Sequence, residues 1–392
     1  MPKDPDNLRG KIRHSIETLE GSLIREVAES NIGRDDVIAL WFGEPNVATP
    51  DFIKQAATAA LDDDHVFYAQ NRGIPALREI LSTYVSGLHG RPIAIDRLTV
   101  TASGMNAIML VSEVLIDNGD NMVVVGPVWP NCRQTVHIMG GEARQIALAP
   151  DESGRWQLDM EALFDACDER TRAVFVNSPG NPTGWVMSEA EQRTLLGECK
   201  RRGLYVVADE VYVRLAYDRP KAPSFLDFAG PDDPLIVVNS FSKTWSMTGW
   251  RLGWLTHPPA LGEVFSVLNE YNIASPTTFV QHAGVAAVRD GEAFATQMVE
   301  EYRRNRDLVF QRLAAMPKVS LSRPEAAFYA FFAVDGMTDS LAYAKQLIAT
   351  TGVGLAPGRA FGEAGEGWLR LCFASELPVL SQALDRLEPA LS

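Results

Sequence analysis

Lys243 lies in the segment Ser240-Phe241-Ser242-Lys243-Thr244-Trp245-Ser246-Met247-Thr248-Gly249-Trp250-Arg251-Leu252-Gly253-Trp254, among small, hydroxylated and aromatic residues and almost no other charge. A lysine held among apolar groups loses ammonium solvation, so its pKa falls and the neutral amine can condense with an aldehyde. Two further residues stand in apolar runs where a bare charge is costly. Asp209 closes Val207-Ala208-Asp209, where a carboxylate needs a cation or serves as a helix cap. Arg370, in Trp368-Leu369-Arg370-Leu371-Cys372-Phe373, must meet an anion, either a buried salt-bridge partner or a ligand. The turn Ser178-Pro179-Gly180-Asn181-Pro182-Thr183-Gly184 is dense in residues that fix backbone dihedrals.

The elements that position these residues follow from the apolar pattern. Strands are expected at Leu98 to Thr101, Met122 to Val125, Arg144 to Leu148, Ala173 to Val176, Leu204 to Ala208, Leu235 to Val238 and Leu252 to Thr256. Helical patterns follow the first at Ala107 to Ile116 and the fourth at Ser188 to Arg202, with another before the core at Ile53 to Leu61. Continuous apolar strands alternating with helices make an α/β protein with a mostly parallel sheet covered on both faces. Glu292 to Leu313 reads as one long charged helix, and the tail from Val319 as a smaller α+β unit. Ser103-Gly104, Trp129, Asn181, Asp209 with Tyr212, and Ser240 with Lys243 each fall beyond the carboxyl end of a strand, the edge where such sheets bind ligands.

The chain has 392 residues and a formal net charge of -14, which disfavours a nucleic-acid partner because phosphate binding needs a basic face. Cys132, Cys167, Cys199 and Cys372 form no C-x-x-C pair, so neither a zinc site nor a disulfide framework is expected. The start, Met1-Pro2-Lys3-Asp4-Pro5-Asp6, has no apolar stretch behind it, which predicts a cytoplasmic protein with no membrane partner.

In this order the motifs resemble those of the class I and II aminotransferases, pyridoxal-phosphate enzymes of fold type I with the aspartate aminotransferase fold. The likeness runs from Gly43-Glu44-Pro45 to Arg370-Leu371-Cys372-Phe373-Ala374. It implies a three-layer α/β/α large domain with a mostly parallel seven-stranded sheet, residues 46–285, and a smaller α+β domain, residues 286–392, joined by an N-terminal segment, residues 1–45. It implies that Lys243 attaches pyridoxal 5'-phosphate and moves the substrate proton, that Asp209 pairs with the ring nitrogen, and that Tyr212 and Asn181 hydrogen-bond to the ring's phenolic oxygen. Trp129 would stack on the ring, and Ser103, Gly104, Met105, Ser240 and Arg251 would surround the phosphate. Arg370, with Asn181 and Gly43, would hold the substrate α-carboxylate. Tyr68, in Phe67-Tyr68-Ala69, would reach the phosphate of a second subunit, making a homodimer with sites at its interface. Trp129 stands where many relatives have tyrosine, and Ala326 where they often have glycine.

The activity so implied is transfer of an amino group from an α-amino acid to a 2-oxo acid by a ping-pong cycle. The alternatives are a lyase, decarboxylase or oxidase acting on the same bound amino acid, and, in another class, a cofactor-binding regulatory module. The latter is disfavoured because no basic recognition helix precedes Gly43. A neutral substrate side chain is expected, since Met105 replaces a lysine of some acid-selective relatives and Leu252 to Val288 contains no lysine or arginine. Trp41, Phe42, Tyr271 and Phe328 are candidates for an apolar wall, while Arg9 or Arg13 would be the cations able to admit glutamate or 2-oxoglutarate.

Overall fold

Seven strands form the central sheet: β1 (Leu98–Thr101), β2 (Asn121–Gly126), β3 (Glu142–Ala147), β4 (Thr171–Asn177), β5 (Tyr205–Asp209), β6 (Leu235–Ser240) and β7 (Gly253–Thr256). The computed structural model describes residues 11–392, so Arg9 and the polar start lie outside the described residues. The strand order is β1-β7-β6-β5-β4-β2-β3, and only β7 runs antiparallel to its neighbours. Every strand falls within a few residues of its expected position.

Strand alternation splits the interior into two cores. Val123, Val125, Val206, Ala208, Leu235 and Val237 face one layer, whereas Met122, Val124, Val207, Ile236 and Val238 face the other. Helix Gly104–Leu115 closes the second layer with Ala107, Ile108, Leu110 and Val111. Helix Glu189–Arg202 closes the first with Leu195, Leu196 and Cys199, and its start is fixed by a capping box between Ser188 and Glu191, a device worth about 1 kcal/mol. Both faces are thus covered, as a parallel sheet requires.

A second, antiparallel sheet holds β8 (Val319–Leu321), β9 (Tyr329–Val334), β10 (Ala356–Pro357) and β11 (Trp368–Cys372) in the order β8-β9-β11-β10. The long helix Glu292–Ala314 and the C-terminal helix Leu377–Leu391 pack together beside it. The N-terminal segment belongs with this unit in contact terms: Ile38–Ala39 pairs with Val353–Gly354, and helix Leu23–Glu29 buries Ile24, Val27 and Ala28 while Glu26 pairs with Lys345 at 2.6 Å. Among the described residues, no helix is long and apolar enough to cross a membrane. Helices Pro75–His89, Gly262–Ile273 and Thr278–Asp290 were not expected from the sequence.

Candidate active site

The carboxyl ends of β4, β5 and β6 and the turn after β1 open onto a cavity of about 560 Å³. Ser240 ends β6 and starts one helical turn, Phe241–Thr244, its hydroxyl accepting from the Ser242 N–H at 3.1 Å. That turn brings Lys243 to the cavity, where Nζ donates to the Gly43 carbonyl at 2.6 Å and lies 5.8 Å and 5.9 Å from the ring centres of Phe328 and Tyr212. Burial lowers the pKa of this amine from 10.5 to about 8. No carboxylate pairs with it among the described residues.

Asp209 ends β5 with its carboxyl buried. Burial pushes its pKa from 3.8 up to about 7, opposed first by the hydrogen bond its carboxylate accepts from the Val211 N–H at 3.3 Å. An acid so placed becomes a stable anion only beside a cation. Asn177, at the end of β4, was not singled out from the sequence. Its Oδ1 accepts from the Asn181 N–H at 2.7 Å and its Nδ2 donates to the Asp209 carbonyl at 3.0 Å, tying the turn at 178–184 to β5. The available signal was a polar residue ending an apolar strand directly before that turn.

Asn181 then positions two more groups. Its carbonyl accepts from the Trp129 N–H at 3.0 Å, and its Oδ1 accepts from Arg370 Nη1 at 2.8 Å. Arg370 is 2% exposed, donates through Nη2 to the Trp41 carbonyl, and leaves Nε without a partner among the described residues. Its guanidinium carbon lies 4.6 Å from the ring centre of Tyr329 and 4.9 Å from that of Phe361. No carboxylate pairs with it among the described residues, so the buried salt bridge weighed from the sequence is not what Arg370 makes. A desolvated guanidinium with an open N–H edge is a receptor for a bound anion.

Tyr212 is buried, with its hydroxyl 2.7 Å from that of Tyr329. Tyr329 also lies so close to Gly43 that a Cβ there would collide with the phenol, which is why the backbone approach needs glycine. At the other end of the cavity, helix Gly104–Leu115 presents its first turn, with the Ser103 hydroxyl capping it from the Asn106 N–H at 2.9 Å. Gly104, Met105, Ser240 and Arg251 line this end, and Ser103 stands just behind. Arg251 donates to the Thr248 carbonyl and has no carboxylate partner among the described residues. A helix start with a hydroxyl and a guanidinium suits a phosphate.

Some expected residues are elsewhere. Tyr68 is 89% exposed and does not reach this cavity within its own chain. Of the apolar candidates only Phe42 lines it: Trp41 and Phe328 are buried in the core, and Tyr271 projects from the surface. Arg13 is held by the Ile138 carbonyl and does not line the cavity. Ser22, Ile24 and Arg25, from the N-terminal segment, line the cavity unforeseen, as does Glu44, whose carboxylate accepts from the Thr248 hydroxyl at 3.5 Å.

A mostly parallel sheet with a desolvated lysine, a buried acid and a helix start suited to a phosphate at one edge is the arrangement of the fold type I class of pyridoxal-phosphate enzymes. Residues 35–387 match the family "Aminotransferase class I and II". The chain is 32% identical to an aspartate aminotransferase of Pyrococcus horikoshii, over 97% of each chain. It is also 32% identical to aromatic-amino-acid aminotransferase 2 of Thermococcus litoralis, over 96% of this chain and 97% of that one. The crystal structure of aspartate aminotransferase from Thermotoga maritima superposes with a TM-score of 0.90 at 31% identity, covering 97% of this chain and 100% of that one. The chain belongs to the class I and II aminotransferases: it is an enzyme that uses pyridoxal phosphate to move an amino group between an α-amino acid and a 2-oxo acid. The residues present suit that cofactor, since the cavity offers an amine of lowered pKa, a buried carboxyl with no ion-pair partner among the described residues, and a helix start suited to an anion.

Proposed function

We propose that the cavity residues divide the aminotransferase reaction as follows, the observation that carries the reading being that Lys243 and Arg370 face one cavity and neither has a carboxylate partner among the described residues. When bound, pyridoxal phosphate supplies an aldehyde for covalent attachment and a ring that withdraws electrons from the substrate α-carbon. Lys243 would attach it, and its Nζ would carry the substrate α-proton in a ping-pong cycle. Asp209 would keep the ring nitrogen protonated. Tyr212 and Asn181 would donate to the ring oxygen, and Trp129 would pack against the ring. Ser103, Gly104, Met105, Ser240 and Arg251 would hold the phosphate, while Arg370, with Asn181 and the close backbone of Gly43, would grip the substrate α-carboxylate.

The clamp role gives a direct test. Arg370→Lys replaces a planar fork by a point charge, so KM for amino-acid substrates is expected to rise about a hundredfold or more while cofactor content stays normal. Unchanged substrate affinity with cofactor in place would rule out Arg370 as the carboxylate receptor.

We also propose a homodimer, with Tyr68 crossing to the partner's phosphate site. In support, the backbone on both sides of Tyr68 is anchored, Ala69 N–H donating to the Ser275 hydroxyl at 3.2 Å and the Thr278 hydroxyl donating to the Phe67 carbonyl at 2.6 Å. An 89% exposed tyrosine on a pinned turn, beside Phe67 at 77%, is a contact surface awaiting a partner. Mixed dimers of a Tyr68→Ala chain with a Lys243→Ala chain should regain one intact site of the two. Activity no higher than that of either homodimer would contradict shared sites. The domain division 1–45, 46–285 and 286–392 is proposed on the same footing, with a helix break at Gly291 near its second boundary. A cytoplasmic location is proposed from the unpaired cysteines.

A further inference from the structure

A second cavity, of about 240 Å³, shares no lining residue with the cavity of Lys243. The turn at 153–155 and Asp218 form one wall, from the large-sheet unit, and Arg306 of helix Glu292–Ala314 faces them with the segment 322–325, between β8 and β9. Three guanidiniums line it, those of Arg155, Arg306 and Arg323, against the two carboxylates of Asp218 and Glu325. The Arg306 side chain is 2% exposed, its guanidinium carbon 4.5 Å from the ring centre of Tyr217. Ion pairing around the cavity is thin. Arg155 reaches Glu325, and Arg306 reaches Asp218, only at 3.4 Å, and Arg219 reaches Glu325 at 3.8 Å, whereas Lys200 and Asp233 close to 2.6 Å. Asp307 serves both Arg306, at 2.9 Å, and Arg323, at 3.0 Å. Four guanidiniums thus share three carboxylates. Asp151, beside the same wall, is committed to its own turn, accepting from the Ser153 and Arg155 N–H groups at 2.8 Å and 3.0 Å. The Arg155 and Arg323 guanidiniums each place one N–H on a carboxylate, and the Ser322 hydroxyl makes no hydrogen bond, among the described residues.

We propose that this cavity is a binding site for a small tetrahedral oxyanion, inorganic phosphate or the phosphate head of a short ester. The planar guanidinium fork presents paired N–H donors that match phosphate oxygens, and an added anion offsets the positive charge left over when four cations share three anions. The volume falls below the roughly 300–1,000 Å³ of sites that enclose larger ligands, so size selects a small group. Its position gives the ligand a structural effect. Glu325 N–H donates to the Gly184 carbonyl at 3.1 Å, in the turn that carries Asn181, and Ala327 N–H donates to the Leu215 carbonyl at 2.9 Å. An anion held between Arg155 and Arg323 therefore clamps the two units together at the junction that supports Asn181. The inference is independent of the roles proposed for the active-site residues, none of which lines this cavity.

The test titrates holoenzyme, whose cofactor occupies its own phosphate site, with inorganic phosphate, glycerol 3-phosphate and, as an uncharged control, glycerol, read by calorimetry at low salt. Phosphate or its ester is expected to bind with a dissociation constant of about 1–10 mM, and glycerol not at all. The variant Arg155→Gln/Arg323→Gln changes two half-exposed side chains, so the fold is retained; its affinity should fall about tenfold or more while transamination stays within about twofold of wild type. Wild type should also gain about 2 °C in melting temperature at phosphate tenfold above its dissociation constant, beyond any gain in the variant, a comparison in which the general salting effect of phosphate cancels. Binding of phosphate alone assigns the free ion, and tighter binding of glycerol 3-phosphate assigns the ester. No binding of either below about 100 mM, or equal affinity in the variant, which would place the anion elsewhere on the protein, would overturn the site.

Discussion

Asp209→Asn is expected to retain the cofactor yet lower the rate of substrate α-proton removal by roughly a hundredfold to a thousandfold, the scale of losing one group aimed at developing charge. The phosphate end and Lys243 still hold the cofactor, so binding survives. The loss is electrostatic. Asn keeps the shape of Asp209 but carries no charge, and a ring nitrogen without an anion beside it gives up its proton and accepts electrons poorly. Single-turnover absorbance after mixing with amino acid measures the step directly, and a near-normal rate would remove this role from Asp209.

The same carboxyl gives a check that a purely structural acid would fail. In the cofactor-free protein its pKa stands at about 7 against 3.8 in the unfolded chain, so between those values the folded state binds more protons than the unfolded one. Its contribution therefore destabilises the fold progressively as pH rises from about 4 to about 7. Asn removes that cost, and cofactor-free Asp209→Asn should melt no lower than wild type at neutral pH.

Lys243→Ala should cost still more, about ten-thousandfold or greater, because one substitution removes both the covalent attachment and the proton carrier. The fold tolerates it. The amine's hydrogen bond to the Gly43 carbonyl is set against a desolvation that lowers its pKa from 10.5 to about 8. Between those values the unfolded chain binds more protons, so wild-type cofactor-free protein gains stability from this group as pH rises from about 8 to about 10.5, a gain absent in the variant. Residual transamination within about tenfold of wild type would show that another group moves the proton.

Much of the site was legible because strand ends in a parallel sheet are marked locally. An apolar run followed by Asp209, by the 178–184 turn or by Ser240 announces both the strand and the edge at which it stops. What could not be read were partnerships made across the chain. Arg370 meets Asn181 and Trp41, Tyr212 meets Tyr329, and the Lys243 amine meets Gly43, in each case through packing of the small unit against the sheet. Arg25 was passed over for the same reason, since nothing near it in sequence says that its helix lines the cavity. Helix Thr278–Asp290 escaped because it is buried widely around its axis, at Val280, Gln281, Ala283, Gly284, Ala286, Ala287 and Val288, leaving no polar face to set a period. Helix Pro75–His89, by contrast, carries a local signal, Leu77, Leu81 and Val85 at four-residue spacing after an N1 proline.

Borohydride reduction of the native holoenzyme, followed by proteolysis and mass spectrometry of the modified peptide, tests the central assignment most directly. The account predicts cofactor fixed to the peptide that contains Lys243, and none fixed to any peptide of the Lys243→Ala protein. Cofactor recovered on another lysine, or trapping that persists in the variant, would contradict it.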